Sequence, residues 1–255
     1  MTIFEGFLIA LIEGITEFLP VSSTGHMILL SRFFEIHDDE FVKTFEVFIQ
    51  TGAILAIAIM YIKKFLQGID VYLKLGVAFL PIAVFGFLGY DFIKNVLFSP
   101  VVVAVSLIIG GLVLILVDKK VVSQKSRYED ITNISYKDSL FIGFWQCFAL
   151  IPGVSRAAAS IVGGVFNGFD KKQATEFSFL LALPTVAAAA GYDLLKTDLT
   201  FSSREFMLLG LGLLVAFVSA WFAVKIFLKI VENYGFKHFG YYRIVLGVVF
   251  LYFYL

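Results

Sequence analysis

The feature that most constrains this chain is its set of apolar stretches long enough to cross a lipid bilayer. A helix needs about 20 mainly apolar residues to cross the hydrocarbon layer, whereas a stretch of roughly 10 to 14 is more often re-entrant or interfacial. Only 16% of the 255 residues are charged, against about 25% in a typical soluble domain. We therefore predict an all-α integral membrane protein with six transmembrane helices, at Phe45–Ile62, Val71–Ile93, Val101–Val117, Glu176–Leu195, Phe206–Leu228 and Gly240–Leu255.

The remaining composition excludes several other classes of protein. The 20 basic and 20 acidic residues cancel, which removes the electrostatic basis for binding nucleic acid. The single cysteine, Cys147, has no partner for an internal disulfide, so a secreted disulfide scaffold is excluded. The N-terminus carries an early acid and no basic leader, so we expect no cleaved signal peptide.

Four further apolar pieces are too short or too interrupted to span the bilayer. They form two pairs, and each pair is joined by a polar segment containing proline, LPVSSTGH at Leu19–His26 and IPGVSR at Ile151–Arg156. Irregular backbone at membrane depth is tolerated only where protein buries it or where it lines a wet cavity. Both pairs are therefore predicted to be re-entrant helical hairpins. The pieces are Ile3–Leu19, His26–Phe34, Ser139–Ile151 and Ala157–Phe169.

The order of elements repeats along the chain. Two short pieces and three long ones occur in residues 1–117 and again in 139–255, and the charged segment 118–138 separates them as a cytoplasmic loop. Three crossings is an odd number, so the two repeats must insert in opposite senses. This is an inverted-topology repeat, whose functional site is expected near the midplane where the repeats meet.

Basic residues predict the orientation, because Lys and Arg are enriched in cytoplasmic loops. Under the predicted topology, the first hairpin and both termini lie on the outer face and the second hairpin enters from the cytoplasm. The outer face then carries Arg32, Lys43, Lys94, Lys196 and Arg204. The cytoplasmic face carries Lys63, Lys64, Lys74, Lys119, Lys120, Lys125, Arg127, Lys137, Lys171, Lys172, Lys225, Lys229, Lys237 and Arg243.

The densest polar cluster in an apolar context is EGITEFLPVSSTGH. Glu13 and Glu17 are four residues apart, so a helix places both carboxylates on one face. Such a pair is suited to acid–base catalysis or to holding a hard divalent cation. Hydroxyls and an imidazole follow, and they are candidates for catalysis or substrate binding: Ser22, Ser23, Thr24 and His26. The alternatives are that the hydroxyls only cap the second short helix and that His26 is a satisfied interior histidine.

The second cluster is PGVSR, residues 152–156. Arg156 lies within an apolar region and must find an anion there. Its planar guanidinium suits a phosphate, and Gly153 and Ser155 would offer backbone N–H groups and a hydroxyl at a helix N-terminus. The alternative is a structural ion pair with one of four acids, Glu13, Glu17, Glu46 or Glu176. The two clusters together suggest handling of a phosphorylated compound whose tail stays in lipid.

These motifs resemble those of the BacA-type undecaprenyl-pyrophosphate phosphatases, bacterial membrane enzymes that regenerate the lipid carrier of peptidoglycan synthesis. The resemblance covers essentially the whole chain, and EGITEFLPVSSTGH is intact. The second motif departs from the family pattern PGxSRSxxT, because Ala157 replaces the second serine and Ser160 replaces the threonine. We expect Ala157 to weaken phosphate binding by the loss of one hydrogen bond, worth about 0.5 to 1.5 kcal/mol.

The resemblance implies hydrolysis of undecaprenyl diphosphate to undecaprenyl phosphate and inorganic phosphate in the bacterial plasma membrane, at a site that opens outward. It also implies a divalent cation, Mg²⁺ or Ca²⁺, with Glu13 and Glu17 as its ligands. Arg156 and the Ser155 region would bind the diphosphate. The nucleophile would be Ser23, His26 or a water, and His26 could instead protonate the leaving oxygen. A homodimer stays open.

Three other functions compete. Inverted repeats with broken helices are also the usual plan of transporters, so the chain could flip undecaprenyl phosphate. The PAP2-type lipid phosphatases catalyse similar chemistry, but their second histidine position is occupied here by Val162. A purely structural membrane protein would leave the carboxylates and Arg156 without a role.

Overall fold

The structure, a computed structural model, describes residues 1–93, 99–121, 125–196 and 201–254, and every regular element in those ranges is helical. The all-α prediction is confirmed. The α-helices are α1 (Ile3–Thr16), α2 (Ser23–Phe33), α3 (Glu40–Met60), α4 (Ile62–Phe65), α5 (Ile69–Leu88), α6 (Tyr90–Phe92), α7 (Pro100–Val121), α8 (Tyr136–Gln146), α9 (Arg156–Phe166), α10 (Lys171–Lys196), α11 (Ser203–Tyr234) and α12 (Lys237–Tyr254).

Five helices are long and apolar enough to cross a membrane, namely α3, α5, α7, α10 and α11. They coincide with five of the six predicted spans, which confirms an integral membrane protein. The sixth predicted span, Gly240–Leu255, corresponds to α12, and Leu255 lies outside the described residues. Because α12 also contains Lys237, His238 and Arg243, its crossing of the bilayer stays a prediction.

Helix ends extend beyond the apolar runs where capping groups are available. The apolar run that begins at Phe206 predicted an end at Leu228, but α11 continues to Tyr234. It begins with a capping box in which Ser202 and Glu205 exchange hydrogen bonds, and it ends at Gly235, whose φ of 72° suits glycine. These caps satisfy backbone groups that have no partner within the helix.

Two pairs of short helices form hairpins. Helix α1 packs against α2, and α8 packs against α9. The connecting segments contain Pro20 and Pro152, which interrupt helical hydrogen bonding, and the second helix of each pair is capped by a serine side chain, Ser22 or Ser155. Both serines adopt positive φ angles, 69° and 75°, so the chain turns sharply as it enters each of these helices. We call residues 17–22 tip 1 and residues 151–155 tip 2.

The two halves of the chain pack into each other. Helix α1 packs along α11 and α8 packs along α5, while α3 pairs with α10 and α7 pairs with α12. The approach is close at matching points: a Cβ on Gly14 of α1 would collide with the carbonyl of Ala216, and one on Gly143 of α8 would collide with the carbonyl of Ala78. This exchange of partners brings tip 1 and tip 2 together.

Contacts at the helix ends fall into two groups. The N-terminal amine lies 3.8 Å from Asp39, and Arg204 donates to the carbonyl of Met1 at 3.4 Å. A separate group joins Lys64 to Asp130, and Lys74 donates to the carbonyl of Thr132 at 2.8 Å. Residues assigned to opposite faces by sequence thus cluster separately.

One residue of the basic count was placed wrongly. Arg243 was assigned to the cytoplasmic face, yet its side chain is 0% exposed and donates hydrogen bonds to Pro20 of tip 1 and to Gly153 of tip 2. Arg243 is therefore an interior residue and carries no orientation signal. Lys94, counted on the outer face, lies outside the described residues.

A candidate active site between two hairpin tips

The centre of the candidate site is the Glu17 carboxylate at tip 1. Its Oε2 accepts a hydrogen bond from the Ser23 hydroxyl at 2.7 Å, and its Oε1 accepts one from the Arg156 guanidinium at 3.0 Å. The Glu17 and Arg156 side chains are only 8% and 11% exposed. One buried carboxylate thus joins the hydroxyl of one hairpin to the cation of the other.

The two donors occupy equivalent positions. Ser23 is the first residue of α2 and Arg156 is the first residue of α9, each directly after its capping serine. The hydroxyl of Ser22 accepts from the N–H of Gly25 at 3.3 Å, and that of Ser155 accepts from Ala158 at 3.2 Å. The capping interpretation therefore describes Ser22 and Ser155, whereas the hydroxyl of Ser23 is directed to Glu17.

Arg156 is held on several sides. Its guanidinium also donates to the carbonyls of Ser178 at 3.0 Å and Glu17 at 3.3 Å, and it lies 5.6 Å from the centre of the Phe18 ring. Ser160 ties this region together by donating to the Ser178 hydroxyl at 2.7 Å. The Nε–H of Arg156 is buried and has no hydrogen-bond partner among the described residues. An anion that accepted from this group would satisfy it.

Glu13 is the second carboxylate of the pair and is fully buried. Neither of its oxygens has a hydrogen-bond partner among the described residues, and the Oε1 of Glu46 also has none there. The charges that act on Glu13 are those of Glu17, Glu46 and Arg156. Unpartnered carboxylate oxygens in the protein interior are costly, so this region is suited to a proton or a cation.

The carboxylates of Glu13 and Glu17 provide part of the coordination that a hard divalent ion requires. No cluster of three or more acidic, histidine or cysteine side chains with metal-site spacing occurs in the described ranges. Mg²⁺, however, is commonly held by one or two carboxylates together with waters and substrate phosphates. Glu13 and Glu17 satisfy that smaller requirement.

His26 makes its polar contacts away from Glu17. Its Nδ1 lies 2.8 Å from the carbonyl of Ser22, and its Nε2 lies 2.6 Å from the hydroxyl of Tyr242, whose ring is nearly parallel to the imidazole. Because a carbonyl only accepts, Nδ1 carries a proton. In the neutral imidazole, Nε2 then accepts from the hydroxyl of Tyr242, which occupies its lone pair.

The other predicted residues have distinct placements. Thr24 is exposed on the first turn of α2. Gly153 has a φ of 92° and lies against α7, where a Cβ would collide with the carbonyl of Val103. Ala157 is fully buried within the largest apolar cluster, so its effect on phosphate binding stays a prediction.

Sequence reasoning missed two residues beside the tips, Tyr242 and Arg243. The signal for Arg243 was available, because it interrupts the apolar run of α12 just as Arg156 interrupts that of α9. Tyr242 carried no such signal, since tyrosine is common at membrane interfaces.

Fold and site together define a class: a multi-pass helical membrane protein in which an acid, a hydroxyl and a guanidinium meet inside the protein between two hairpins. The chain belongs to the BacA family, because the family model described as bacitracin resistance protein BacA matches residues 6–249.

Relatives match the chain along nearly its full length. A protein of Wolinella succinogenes named undecaprenyl-diphosphatase is 47% identical, covering 99% of this chain and 98% of its own. Proteins with the same name from Bdellovibrio bacteriovorus and Persephonella marina are 49% and 46% identical, covering 98% and 100% of this chain and 95% and 100% of their own.

Proposed function

We propose that this protein hydrolyses undecaprenyl diphosphate to undecaprenyl phosphate and inorganic phosphate, which recycles the lipid carrier of peptidoglycan synthesis. The names of its relatives support this activity. The single observation that carries it is the Glu17 carboxylate, which accepts from both Ser23 and Arg156. A hydroxyl, a base and a third group that orients the base are the parts needed for nucleophilic catalysis.

Arg156 binds the diphosphate in this proposal. Its unpartnered Nε–H supplies one donor, and the start of α9 places the positive end of a helix dipole beside it. The guanidinium would also stabilise the charge that develops on the transferred phosphoryl group. The apolar prenyl tail stays in the surrounding lipid.

Ser23 is the favoured nucleophile. The Ser23 oxygen bonds to the terminal phosphorus, its proton passes to Glu17, and the bond from phosphorus to the bridging oxygen breaks to release undecaprenyl phosphate. Glu17 gives this proton to the departing undecaprenyl phosphate and is again free to act as a base. Water then attacks the phosphorus of the phosphoserine and gives a proton to Glu17. The bond from phosphorus to the Ser23 oxygen breaks, Glu17 returns the proton to that oxygen, and inorganic phosphate leaves. His26 is less well placed for proton transfer to the substrate, because its Nε2 is occupied by Tyr242.

A divalent cation, Mg²⁺ or Ca²⁺, would be held by Glu13 and Glu17. When bound, it would offset the negative charge of the diphosphate and orient its oxygens. The two unpartnered oxygens of Glu13 support this assignment.

The proposed membrane arrangement follows the predicted topology. Residues 1–117 and 139–255 are two inverted repeats joined by the cytoplasmic loop 118–138, and the packing of α1 on α11 and of α8 on α5 supports this division. The first hairpin and both termini lie on the outer side of the bacterial plasma membrane, and the site opens outward. A homodimer is compatible with this arrangement.

The test is phosphate release from undecaprenyl diphosphate by purified protein in detergent, with and without EDTA. We expect release that EDTA suppresses and Mg²⁺ restores, together with a phosphoenzyme that is trapped by acid quenching and is lost in Ser23→Ala. The matched control is Ser219→Ala, because Ser219 is also largely buried and bonds only within its own helix in the described structure. Absence of phosphate release would favour the transport alternative, and release without a trapped phosphoenzyme would favour direct attack by water.

A further inference from the structure

Arg243 is the buried cation that the proposed reaction does not use. Its side chain is fully buried, and no carboxylate within the described ranges forms an ion pair with it. A charge buried without a counter-ion is expensive. Its presence therefore calls for a role beyond packing.

Every N–H group of the Arg243 guanidinium donates to a backbone carbonyl. An arginine has five such donors. Nε donates to Leu107, one terminal nitrogen donates to Pro20 and Val154, and the other donates to Ser106 and Gly153, at distances from 2.8 to 3.4 Å.

These carbonyls belong to three separate segments. Pro20 lies in tip 1, Gly153 and Val154 lie in tip 2, and the other two acceptors lie in α7. The tips are irregular backbone, whose polar groups must be satisfied inside the protein at membrane depth. One guanidinium therefore fixes both tips to each other and to a transmembrane helix.

The contact geometry leaves the guanidinium little freedom. A Cβ added to Gly110 of α7 would collide with the Arg243 guanidinium. The three atoms nearest to that Cβ all belong to the guanidinium. The glycine thus provides the space in which the fork of donors fits.

We infer that Arg243 is a positioning residue that holds tip 1 and tip 2 in the register that brings Ser23 and Arg156 to the Glu17 carboxylate. The inference rests on the proposed function for its kinetic consequence. Its structural content, the fixed separation of the tips, is independent of the reaction. Arg243 contacts none of the reacting groups and acts through the backbone of the tips.

Two kinds of variant test the inference. Arg243→Met removes all five donors, and Arg243→Lys keeps the charge but loses the planar fork. Gly110→Ala leaves Arg243 in the chain and displaces its guanidinium. The matched controls are Gly76→Ala, where an added Cβ meets nothing within 4 Å, and Lys171→Met, which removes a 2.9 Å ion pair with Asp118 that involves neither tip.

The kinetic readout is turnover of undecaprenyl diphosphate per folded protein. We expect kcat to fall about a hundredfold in Arg243→Met and Gly110→Ala, because misplacement of reacting groups by about 1 Å has an effect of that size. KM should change less than kcat, since the loss falls on the transition state. The controls should keep wild-type kcat.

The structural readout is the distance between spin labels at Ile15→Cys and Phe148→Cys, with Cys147 replaced by alanine. Both label sites are exposed, at 39% and 54%, and flank the two tips. We expect one narrow distance distribution in the parent protein and a broader or displaced one in Arg243→Met, Arg243→Lys and Gly110→Ala.

An unchanged kcat with an unchanged distance distribution in these variants would overturn the inference. A raised KM with unaltered kcat would also overturn it, because it would make Arg243 a direct substrate ligand. If the parent protein releases no phosphate, the proposed function fails, and the distance measurement alone decides the role of Arg243. Should Arg243→Met not fold, Arg243→Lys and Gly110→Ala decide it by the same readouts.

Discussion

At the scale of single residues, the site depends on how one carboxylate is shared. Glu17 accepts from Ser23 and from Arg156, so its two oxygens have different partners and different roles. In the proposed reaction, the contact with Arg156 orients the carboxylate, and the contact with Ser23 aligns it to receive a proton. The ion-pair alternative for Arg156 and the catalytic interpretation therefore describe the same contact.

Glu17→Gln should reduce kcat for phosphate release by about 10² to 10⁴, the usual loss for a general base. The amide keeps the size of the side chain but cannot take the Ser23 proton. Phosphate release by purified protein measures the effect, and Glu40→Gln, at an acid 88% exposed, is the control. Turnover within about threefold of wild type would make Glu17 a structural residue.

Tyr242→Phe should leave kcat within about threefold of wild type and cost about 0.5 to 1.5 kcal/mol of stability, the value of one neutral hydrogen bond. The variant removes the phenol that occupies Nε2 of His26. Parallel pH–rate profiles of Tyr242→Phe and Tyr241→Phe are the measurement. A loss of kcat as large as that of Glu17→Gln would show that His26 and Tyr242 take part in the reaction.

At the scale of elements, glycines set how closely the hairpins approach the spanning helices. In membranes, helices associate by packing of small residues, because lipid removes the usual hydrophobic drive. Gly14 lies against the backbone of Ala216, and Gly143 lies against that of Ala78. The first helix of each hairpin is thus held against the opposite half of the chain in the same way.

Gly14→Ala and Gly143→Ala should each destabilise the protein by about 1 to 3 kcal/mol, the usual effect of overpacking. In both variants the new methyl group would meet backbone, which has little room to move. Thermal unfolding in mild detergent measures the effect, and Gly210→Ala is the control, since a Cβ there meets nothing within 4 Å. Equal midpoints in the three variants would contradict the proposed close packing.

At the scale of the whole molecule, the pairing of helices follows a two-fold pattern. The pair α7 and α12 meets at Gly111 with Gly240 and again at Ala104 with Gly247, contacts that exchange when the two helices are interchanged. Together with the matching contacts of α1 and α8, this supports two inverted repeats. Such an arrangement would place the tips near the centre of the bilayer.

The proposed orientation predicts which cysteines react from outside the cell. In a Cys147→Ala background, Arg204→Cys should react with an impermeant maleimide on intact cells, because Arg204 lies with the N-terminus. Lys125→Cys in the cytoplasmic loop should react only after permeabilisation. The reverse pattern would show that the protein has the opposite orientation in the membrane. Labelling of both cysteines on intact cells would exclude the two-repeat topology.

Most of the fold was predictable because membrane solvation acts locally. A run of apolar residues must be helical and must span, so five spans were placed within a few residues of their observed helices. An error occurred at a polar position: α12 contains Arg243, which a count of basic residues assigned to the cytoplasmic face although its side chain is buried. Such a count treats each cation as solvated, and it cannot detect one that is buried against backbone carbonyls.

The sequence by itself determined the membrane environment. It also predicted the two hairpins and singled out Glu13, Glu17, Ser23 and Arg156, because each is costly or unusual in an apolar context. Only the tertiary structure decided that Ser23 and Arg156 meet at Glu17, that His26 faces Tyr242 and that Arg243 joins the tips. Those partners are separated by up to 223 residues along the chain. Local solvation fixes what each segment becomes, whereas pairings between distant side chains depend on how the two halves pack.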